Sequence, residues 1–100
     1  MDDRFCRLLR WLRRAFPQVK CSVRRKLLNY PGYCVPKDDQ SFAIVVNSQQ
    51  SMPLQNDTLC HEFAHCLDGC VHDHGAEWGR QYARCYREWV KFCEIEDELV

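Results

Sequence analysis

Apolar and polar positions follow two different periods along the first half of the chain. Over residues 4–16 apolar side chains recur at helical spacing with arginines on the opposite face, and Pro17 ends this pattern. A period of two predicts strands over residues 19–24 and 41–47, and a turn containing Pro and Gly precedes a short strand over 33–36. The first half therefore predicts one amphipathic helix followed by three short strands.

The second half of the chain predicts two helices. One begins near Asn56, Asp57 and Thr58, whose side chains can each cap a helix N-terminus, and Gly69 supplies its C-terminal stop. A final helix over residues 76–98 carries an apolar stripe, formed by Trp78, Tyr82, Cys85, Tyr86, Trp89, Phe92 and Cys93. We therefore expect an α+β fold, in which a small three-stranded antiparallel sheet lies between an N-terminal helix and a long C-terminal helix.

Length and composition indicate one packed domain. One hundred residues suffice for a single core, so we expect one domain over residues 1–100. Apolar residues make up 46% of the chain, which favours a folded core over disorder. No apolar run has the length of a membrane span, and we therefore expect no membrane partner. The oligomeric state stays open.

The formal net charge is zero, but the charges are unevenly distributed. Residues 1–30 contain nine Lys or Arg and two Asp, whereas residues 31–100 contain five basic and twelve acidic side chains. One interpretation is a DNA-binding basic N-terminal region, formed by Arg7, Arg10, Trp11, Arg13, Arg14, Lys20, Arg24, Arg25 and Lys26. The alternative, which we favour, is that the two parts neutralise each other in the fold.

Eight cysteines in a chain of this length suggest a secreted scaffold held by disulfides. Two features favour reduced thiols in a cytoplasmic protein instead. The N-terminus has no apolar segment of the kind that signal peptides contain. Cys21 alternates with two valines, and Cys85 and Cys93 lie on the apolar stripe, so these cysteines occupy positions typical of small buried residues.

The segment His61-Glu62-Phe63-Ala64-His65 carries the clearest chemical signal. On a helix, residues four apart lie one above the other, so His61 and His65 can share one metal ion. Glu62 projects beside them and can take a proton from a water that the metal activates. A helical wheel places both histidines opposite the face expected to pack, which is formed by Leu59, Phe63, Cys66, Leu67 and Cys70.

A catalytic zinc site needs a third protein ligand and one open position. The candidates are His72 and His74, with Asp68 and Glu77 as carboxylate alternatives. We favour His74, because the break at Gly69 allows the chain to return over the metal. His72 remains the alternative third ligand or a proton carrier, and we expect Asp68 to orient a ligand rather than bind the metal.

Two motifs together resemble one family of enzymes. The sequence HEFAH at 61–65, followed after a short loop by HGAEW at 74–78, is similar to the SprT-like metallopeptidases, including the small forms of bacteria and phages. The resemblance covers residues 42–90 and implies a zincin-like fold and a cytoplasmic zinc metalloendopeptidase, located in the host cytoplasm for a phage protein. It also implies three zinc ligands, His61, His65 and His74, and Glu62 as the general base.

The resemblance further implies a protein or peptide substrate that pairs with an edge strand, for which the strands at 41–47 and 33–36 are candidates. Some SprT-like proteases cut proteins crosslinked to DNA, which adds weight to DNA as a partner of the basic N-terminal region. Tyr82 and Arg80 are candidate oxyanion donors, although packing and solvation are the simpler roles for them. No Cys-x-x-Cys pair is present, so we expect no second, structural zinc.

Two other interpretations stay open. One is a closed structural metal site without activity, built from thiols and imidazoles of the same region: Cys60, Cys66, Cys70, His72 and His74. Against it, the wheel places Cys66 and Cys70 on the packing face, away from His61 and His65. The other is a nucleic-acid-binding protein that uses the basic N-terminal region alone.

Overall fold

The computed structural model describes residues 2–71 and 73–98, which form an α+β fold. The final helix has the predicted limits, and the order of the elements along the chain is confirmed. No helix among the described residues is both long and apolar enough to cross a membrane. The elements are α1 (Arg4–Ala15), β1 (Cys21–Lys26), β2 (Gly32–Pro36), β3 (Phe42–Asn47), α2 (Met52–Leu67) and α3 (Ala76–Glu98).

The sheet is mixed, so the expectation of an antiparallel sheet is wrong for one of its two pairings. The strand order is β1-β3-β2, with β3 in the centre. The hairpin partners β2 and β3 are antiparallel, with Gly32 opposite Val46, whereas β1 runs parallel to β3, with Cys21 opposite Phe42. Strand β3 lies between β1 and β2, which both precede it in sequence, so β1 pairs with a strand that is not its neighbour along the chain. The alternation of apolar and polar residues predicts that β1 is a strand but not whether it runs parallel or antiparallel to β3.

Helix α2 begins at Met52, four residues before the predicted cap at Asn56. Ser51 is its N-cap residue, and Pro53 lies in the first turn. Proline is tolerated there because the first N–H groups of a helix have no intrahelical partner. The predicted stop is confirmed, since the helix ends at Leu67 and Gly69 has a φ of 68°.

Helix α1 connects the N-terminus to both the sheet and the last helix. Its N-cap is Asp3, whose carboxylate accepts from the Cys6 N–H at 2.9 Å and from Arg25 Nη1 at 2.7 Å. Trp11 packs edge-on against Phe92 of α3 with ring centroids 5.9 Å apart. The apolar face of α1 is buried in the core, together with the central strand and α2.

Helix α2 is buried on most of its surface, because the sheet packs on one side and α3 on another. The predicted packing residues Leu59, Phe63 and Cys66 are buried. Cys60 and Ala64 are also fully buried, so the packing surface is broader than the single arc of the helical wheel. His61 and His65 lie on the part of α2 that stays partly exposed.

Ion pairs connect the basic N-terminal region with acidic residues of both termini. Arg7 binds Glu96 of α3 at 2.8 Å, and Arg4 lies 3.5 Å from Asp97. Arg25 pairs with Asp3, and Arg10 pairs with Asp2. The contacts of Arg7 and Arg4 with α3 support the interpretation that the basic first part and the acidic second part neutralise each other, whereas the other two pairs lie within the first part.

Candidate metal centre

Three histidine side chains meet beside α2. The Nε2 atom of His74 lies 3.0 Å from Nε2 of His61 and 3.2 Å from Nε2 of His65. All three candidate ligand atoms lie within 4.8 Å of one another, and this imidazole cluster can hold a metal ion. Nitrogens bound to a tetrahedral zinc at about 2.0–2.1 Å would be separated by about 3.3 Å, and the two distances to His74 are close to this value.

The local backbone explains how the third histidine reaches the other two. His61 and His65 are one turn apart on α2 and point to the same side. After the helix, Gly69 and Cys70 both adopt left-handed backbone conformations, with φ of 68° and 55°. The Cys70 N–H donates to the His65 carbonyl at 2.8 Å, which turns the chain back toward His74. His72, the alternative third ligand, lies outside the described residues.

A buried carboxyl group stands next to the imidazole cluster. Oε2 of Glu62 lies 4.0 Å from Nε2 of His61, and the Glu62 side chain is only 7% exposed. Burial removes the carboxylate from water and raises the pKa of Glu62 to about 7. This is the range in which a carboxyl group can accept and release a proton near neutral pH.

Two of the imidazoles, those of His61 and His65, favour the neutral form that binds metals. Burial is the main cause that lowers the pKa of both His61 and His65, and the neighbouring imidazoles lower it further. Nδ1 of His74 lies 3.2 Å from Oδ1 of Asp73, a contact that leaves Nε2 free to face the other two histidines. Sequence reasoning missed Asp73, although its position directly before a candidate ligand was a usable signal.

The indole ring of Trp78 forms the floor beneath all three imidazoles. Its centroid lies 4.7 Å from that of His61, 5.5 Å from that of His65 and 4.8 Å from that of His74. Its Nε1 also donates to the His61 carbonyl at 3.4 Å. Trp78 therefore restricts the orientations of the imidazole rings, a role that its place in the apolar stripe did not predict.

The structure places the other candidate polar residues away from the imidazole cluster or in other contacts. Glu77 pairs with Arg80, and both side chains are more than half exposed. The Tyr82 hydroxyl donates to Asp57, which gives this hydroxyl a structural partner. Asp68 is the C-cap residue of α2, where its charge favours the protonated form of His65.

A cleft of about 500 Å³ opens over the imidazole cluster. One wall is the start of β2, where Gly32, Tyr33 and Cys34 line the cleft. Strand β2 is an edge strand, whereas β3 pairs on both sides. The candidate strand at 41–47 is therefore excluded as an edge for substrate pairing, because its backbone groups are already used in the sheet.

The cysteines do not join the imidazole cluster. Cys34 Sγ lies 3.5 Å from Cys66 Sγ and 3.7 Å from Cys70 Sγ, so these three thiols form a separate group. Cys60 is fully buried, and its thiol points to the Cys85 carbonyl. All eight cysteines are free thiols in the structure.

Comparison with known proteins leaves the family open. The chain matches no family model, no curated protein and no solved structure. Similarity to the SprT-like metallopeptidases thus stays a prediction from two sequence motifs. The chemistry of the imidazole cluster and its cleft has to be argued from the geometry itself.

Proposed function

We propose that this chain is a zinc-dependent metallopeptidase of the SprT-like type, with a zincin-like fold. One observation carries the proposal: three imidazole nitrogens converge at the floor of an open cleft, next to a buried carboxyl group. Metal-dependent hydrolysis needs these parts, namely a cation site with a free position and a group that transfers protons. The sequence motifs that contain these residues support the same class of enzyme.

The ligand set favours zinc in a catalytic site over a closed structural site. Imidazole nitrogen is a preferred zinc ligand, and catalytic zinc commonly has three protein ligands and one open position. Among the described residues, the three histidines are the only group of side chains close enough together to hold a metal ion. The nearby thiols of Cys66 and Cys70 contact Cys34 instead, which weighs against the closed thiolate site.

Zinc bound by the three histidines would supply a Lewis acid that polarises a peptide carbonyl and lowers the pKa of water. Glu62 is the general base of this proposal. Its carboxylate accepts the proton of the attacking water and later passes that proton to the leaving amine. Its burial restricts solvent exchange at the carboxyl group, and its pKa near 7 suits both directions of transfer.

The proposed substrate is an extended peptide that pairs with β2. The free edge of this strand offers backbone donors and acceptors, and its first three residues line the cleft beside the histidines. Gly32 lets β2 approach α2 closely, since a Cβ at this position would lie 2.8 Å from Thr58 Cγ2. A peptide on this edge runs past Glu62 at the side of the imidazole cluster.

The proposal is tested by zinc content and cleavage of an unstructured protein such as casein. We expect wild type to bind one zinc per chain and to cleave. The Glu62→Gln variant should retain the zinc and lose at least about 100-fold in rate, because it cannot accept a proton. Glu77→Gln is the matched control, since Glu77 is exposed and paired with Arg80, and it should cleave at the wild-type rate.

Two results would contradict the proposal. One is cleavage by Glu62→Gln at the wild-type rate, which would remove the assigned base. The other is wild-type protein that carries one zinc and cleaves no unstructured protein or peptide, which would favour a structural role for the metal.

DNA binding is a second and narrower proposal. Ion pairs occupy Arg7, Arg10 and Arg25, whereas Arg24 and Lys26 project from the exposed face of β1. Titration of duplex DNA at increasing salt tests it, because phosphate contacts weaken as salt rises. We expect Arg24→Ala with Lys26→Ala to reduce both the affinity and the salt dependence, and an unchanged affinity would reject this surface.

A further inference from the structure

Three sulfur atoms form a second group at the edge of the cleft. Cys34 of β2 is at its centre, with Cys66 Sγ at 3.5 Å and Cys70 Sγ at 3.7 Å. We call these three residues the thiol cluster. Cys34 is 32 positions from Cys66 and 36 from Cys70 in sequence, so the fold brings Cys34 to the other two.

We propose that the thiol cluster is an oxidation site in which Cys34 forms a disulfide with Cys70, and that Cys66 is an alternative partner for Cys34. A disulfide needs sulfur atoms about 2.05 Å apart, so each Sγ has to move by less than about 1 Å. Rotation about the side-chain bonds of the two cysteines can supply a shift of this size. Only one of the two bonds can exist at a time, because Cys34 supplies the sulfur common to both.

Access favours Cys70 over Cys66 as the partner. Both Cys34 and Cys70 line the cleft, whereas Cys66 is 5% exposed. Cys70 also has a φ of 55°, a left-handed conformation that residues with a side chain seldom adopt. This conformation belongs to the turn after α2, and in that turn the Cys70 Sγ lies 3.7 Å from Cys34 Sγ.

The oxidant that we propose is a small soluble disulfide such as oxidised glutathione. The Cys70 thiol gives up its proton and attacks one sulfur of the small disulfide, which releases one small thiol. Cys34 then loses its proton and attacks the Cys70 sulfur of the mixed disulfide, which releases the second small thiol. Two protein thiols become one protein disulfide, and the small disulfide is reduced to two thiols.

The crosslink would connect two walls of the cleft. Strand β2 carries Cys34, and the turn after α2 carries Cys70 and leads to His74. A bond between them restricts movement of β2 relative to this turn. If the proposed peptidase function is correct, oxidation should also lower the affinity for peptide, because β2 is the proposed pairing edge.

Mass spectrometry of the full chain in glutathione buffers of increasing oxidation tests the oxidation site without any need for zinc or cleavage. We expect wild type to lose the mass of two hydrogens and to yield a crosslinked peptide pair containing Cys34 and Cys70. Cys34→Ser and Cys34→Ala should each reduce this product at least about 10-fold. Cys93→Ser is the control, since this half-buried cysteine lies on α3, and it should leave the product unchanged.

The Cys70→Ser variant separates the two partners of Cys34. We expect its disulfide to form between Cys34 and Cys66 at a lower rate, because Cys66 is buried. A wild-type crosslink formed mainly with Cys66 rather than Cys70, or an intramolecular disulfide that survives both Cys34 substitutions, would overturn the assignment. Loss of a second bound metal ion in Cys34→Ser would also overturn it, in favour of a thiolate metal site.

Discussion

The imidazole cluster and the thiol cluster border the same cleft, but the pKa values of their side chains differ. A metal ion must displace a proton from a thiol before it can bind, whereas a neutral imidazole binds directly. Burial lowers the pKa of His61 and His65, so these side chains are neutral at pH 7 and ready to bind. The pKa of Cys34 is raised, first by its contact with Cys66 and then by burial, and burial raises the pKa of Cys70 to about 12. A metal ion should therefore select the imidazoles over the thiols, which hold their protons at pH 7.

The two clusters also differ in how the chain assembles them. Two of the three histidines lie one turn apart on α2, and a single turn brings in the third. The thiol cluster takes one residue from the edge strand, one from the end of α2 and one from the turn that follows. Local helix geometry thus fixes most of the first cluster, whereas tertiary packing creates the second.

The largest expected effect comes from removing one ligand of the imidazole cluster. We expect His74→Ala to weaken zinc binding at least about 1,000-fold, or about 4 kcal/mol, because two imidazoles on one helix remain. Competition with a chelator of known affinity measures this change. Cys34→Ser is the matched comparison and should alter zinc affinity by less than about 3-fold, and equal losses in the two variants would show that the clusters bind one common ion.

The next largest effect is on the stability of the metal-free protein, and it comes from the titration of Glu62. Its pKa is about 7 in the fold against 4.5 for an ordinary Glu, so the folded state holds a proton that the unfolded state releases between these values. The contribution of Glu62 to the free energy of unfolding therefore falls as pH rises from 4.5 to 7, and it stays low above pH 7.

Glu62→Gln lacks this titration, so the metal-free variant should be more stable than metal-free wild type at pH 8, by up to about 3 kcal/mol. The difference should vanish near pH 4. Urea unfolding at both pH values, with a chelator present, measures it. A difference that is the same at pH 4 and pH 8 would be inconsistent with a raised pKa for Glu62.

Gly32→Ala tests how far the thiol cluster depends on the position of β2. A Cβ at this residue would lie 2.6 Å from the Val45 carbonyl oxygen and 2.8 Å from Thr58 Cγ2, so β2 has to shift away from α2. We expect a loss of about 2 kcal/mol in unfolding free energy and slower formation of the Cys34 disulfide. Zinc affinity should change by less than about 3-fold, and an equal effect on zinc would show that β2 supports both clusters.

The smallest expected effect is that of Trp78→Phe. This substitution keeps an aromatic ring beneath the imidazoles and removes the hydrogen bond from Nε1 to the His61 carbonyl. We expect zinc affinity to fall by roughly 5-fold, about 1 kcal/mol, because His61 and His74 lose part of their support. Calorimetric zinc titration would detect this, and unchanged affinity would limit Trp78 to core packing.

The sequence predicted the elements well where their pattern was local. The stripe of α3 predicted its limits, and Gly69 predicted the end of α2. The predicted start of α2 near Asn56 is four residues too late, because the helix begins at Met52 and tolerates Pro53 in its first turn. The direction of β1 was not predictable, since its pairing with β3 depends on packing across the whole sheet.

The same distinction applies to the candidate site. The spacing of His61 and His65 predicted a shared metal, and the two motifs pointed to His74. The structure does bring these three side chains together. The support from Trp78 was not predicted, because it depends on how α3 packs against the end of α2. The contact of Asp73 with its neighbour His74 was a local signal that was missed.

The central claim is that three imidazoles, and no thiol, bind one metal ion with an open position in the cleft. Absorption spectroscopy of the cobalt-substituted protein tests it most directly, because thiolate ligands add an intense charge-transfer band to the ligand-field bands of cobalt. We expect one cobalt per chain, ligand-field bands without that charge-transfer band, and no spectral change in Cys34→Ser. A strong thiolate band that disappears in Cys34→Ser, or a spectrum that persists unaltered in His74→Ala, would contradict this account.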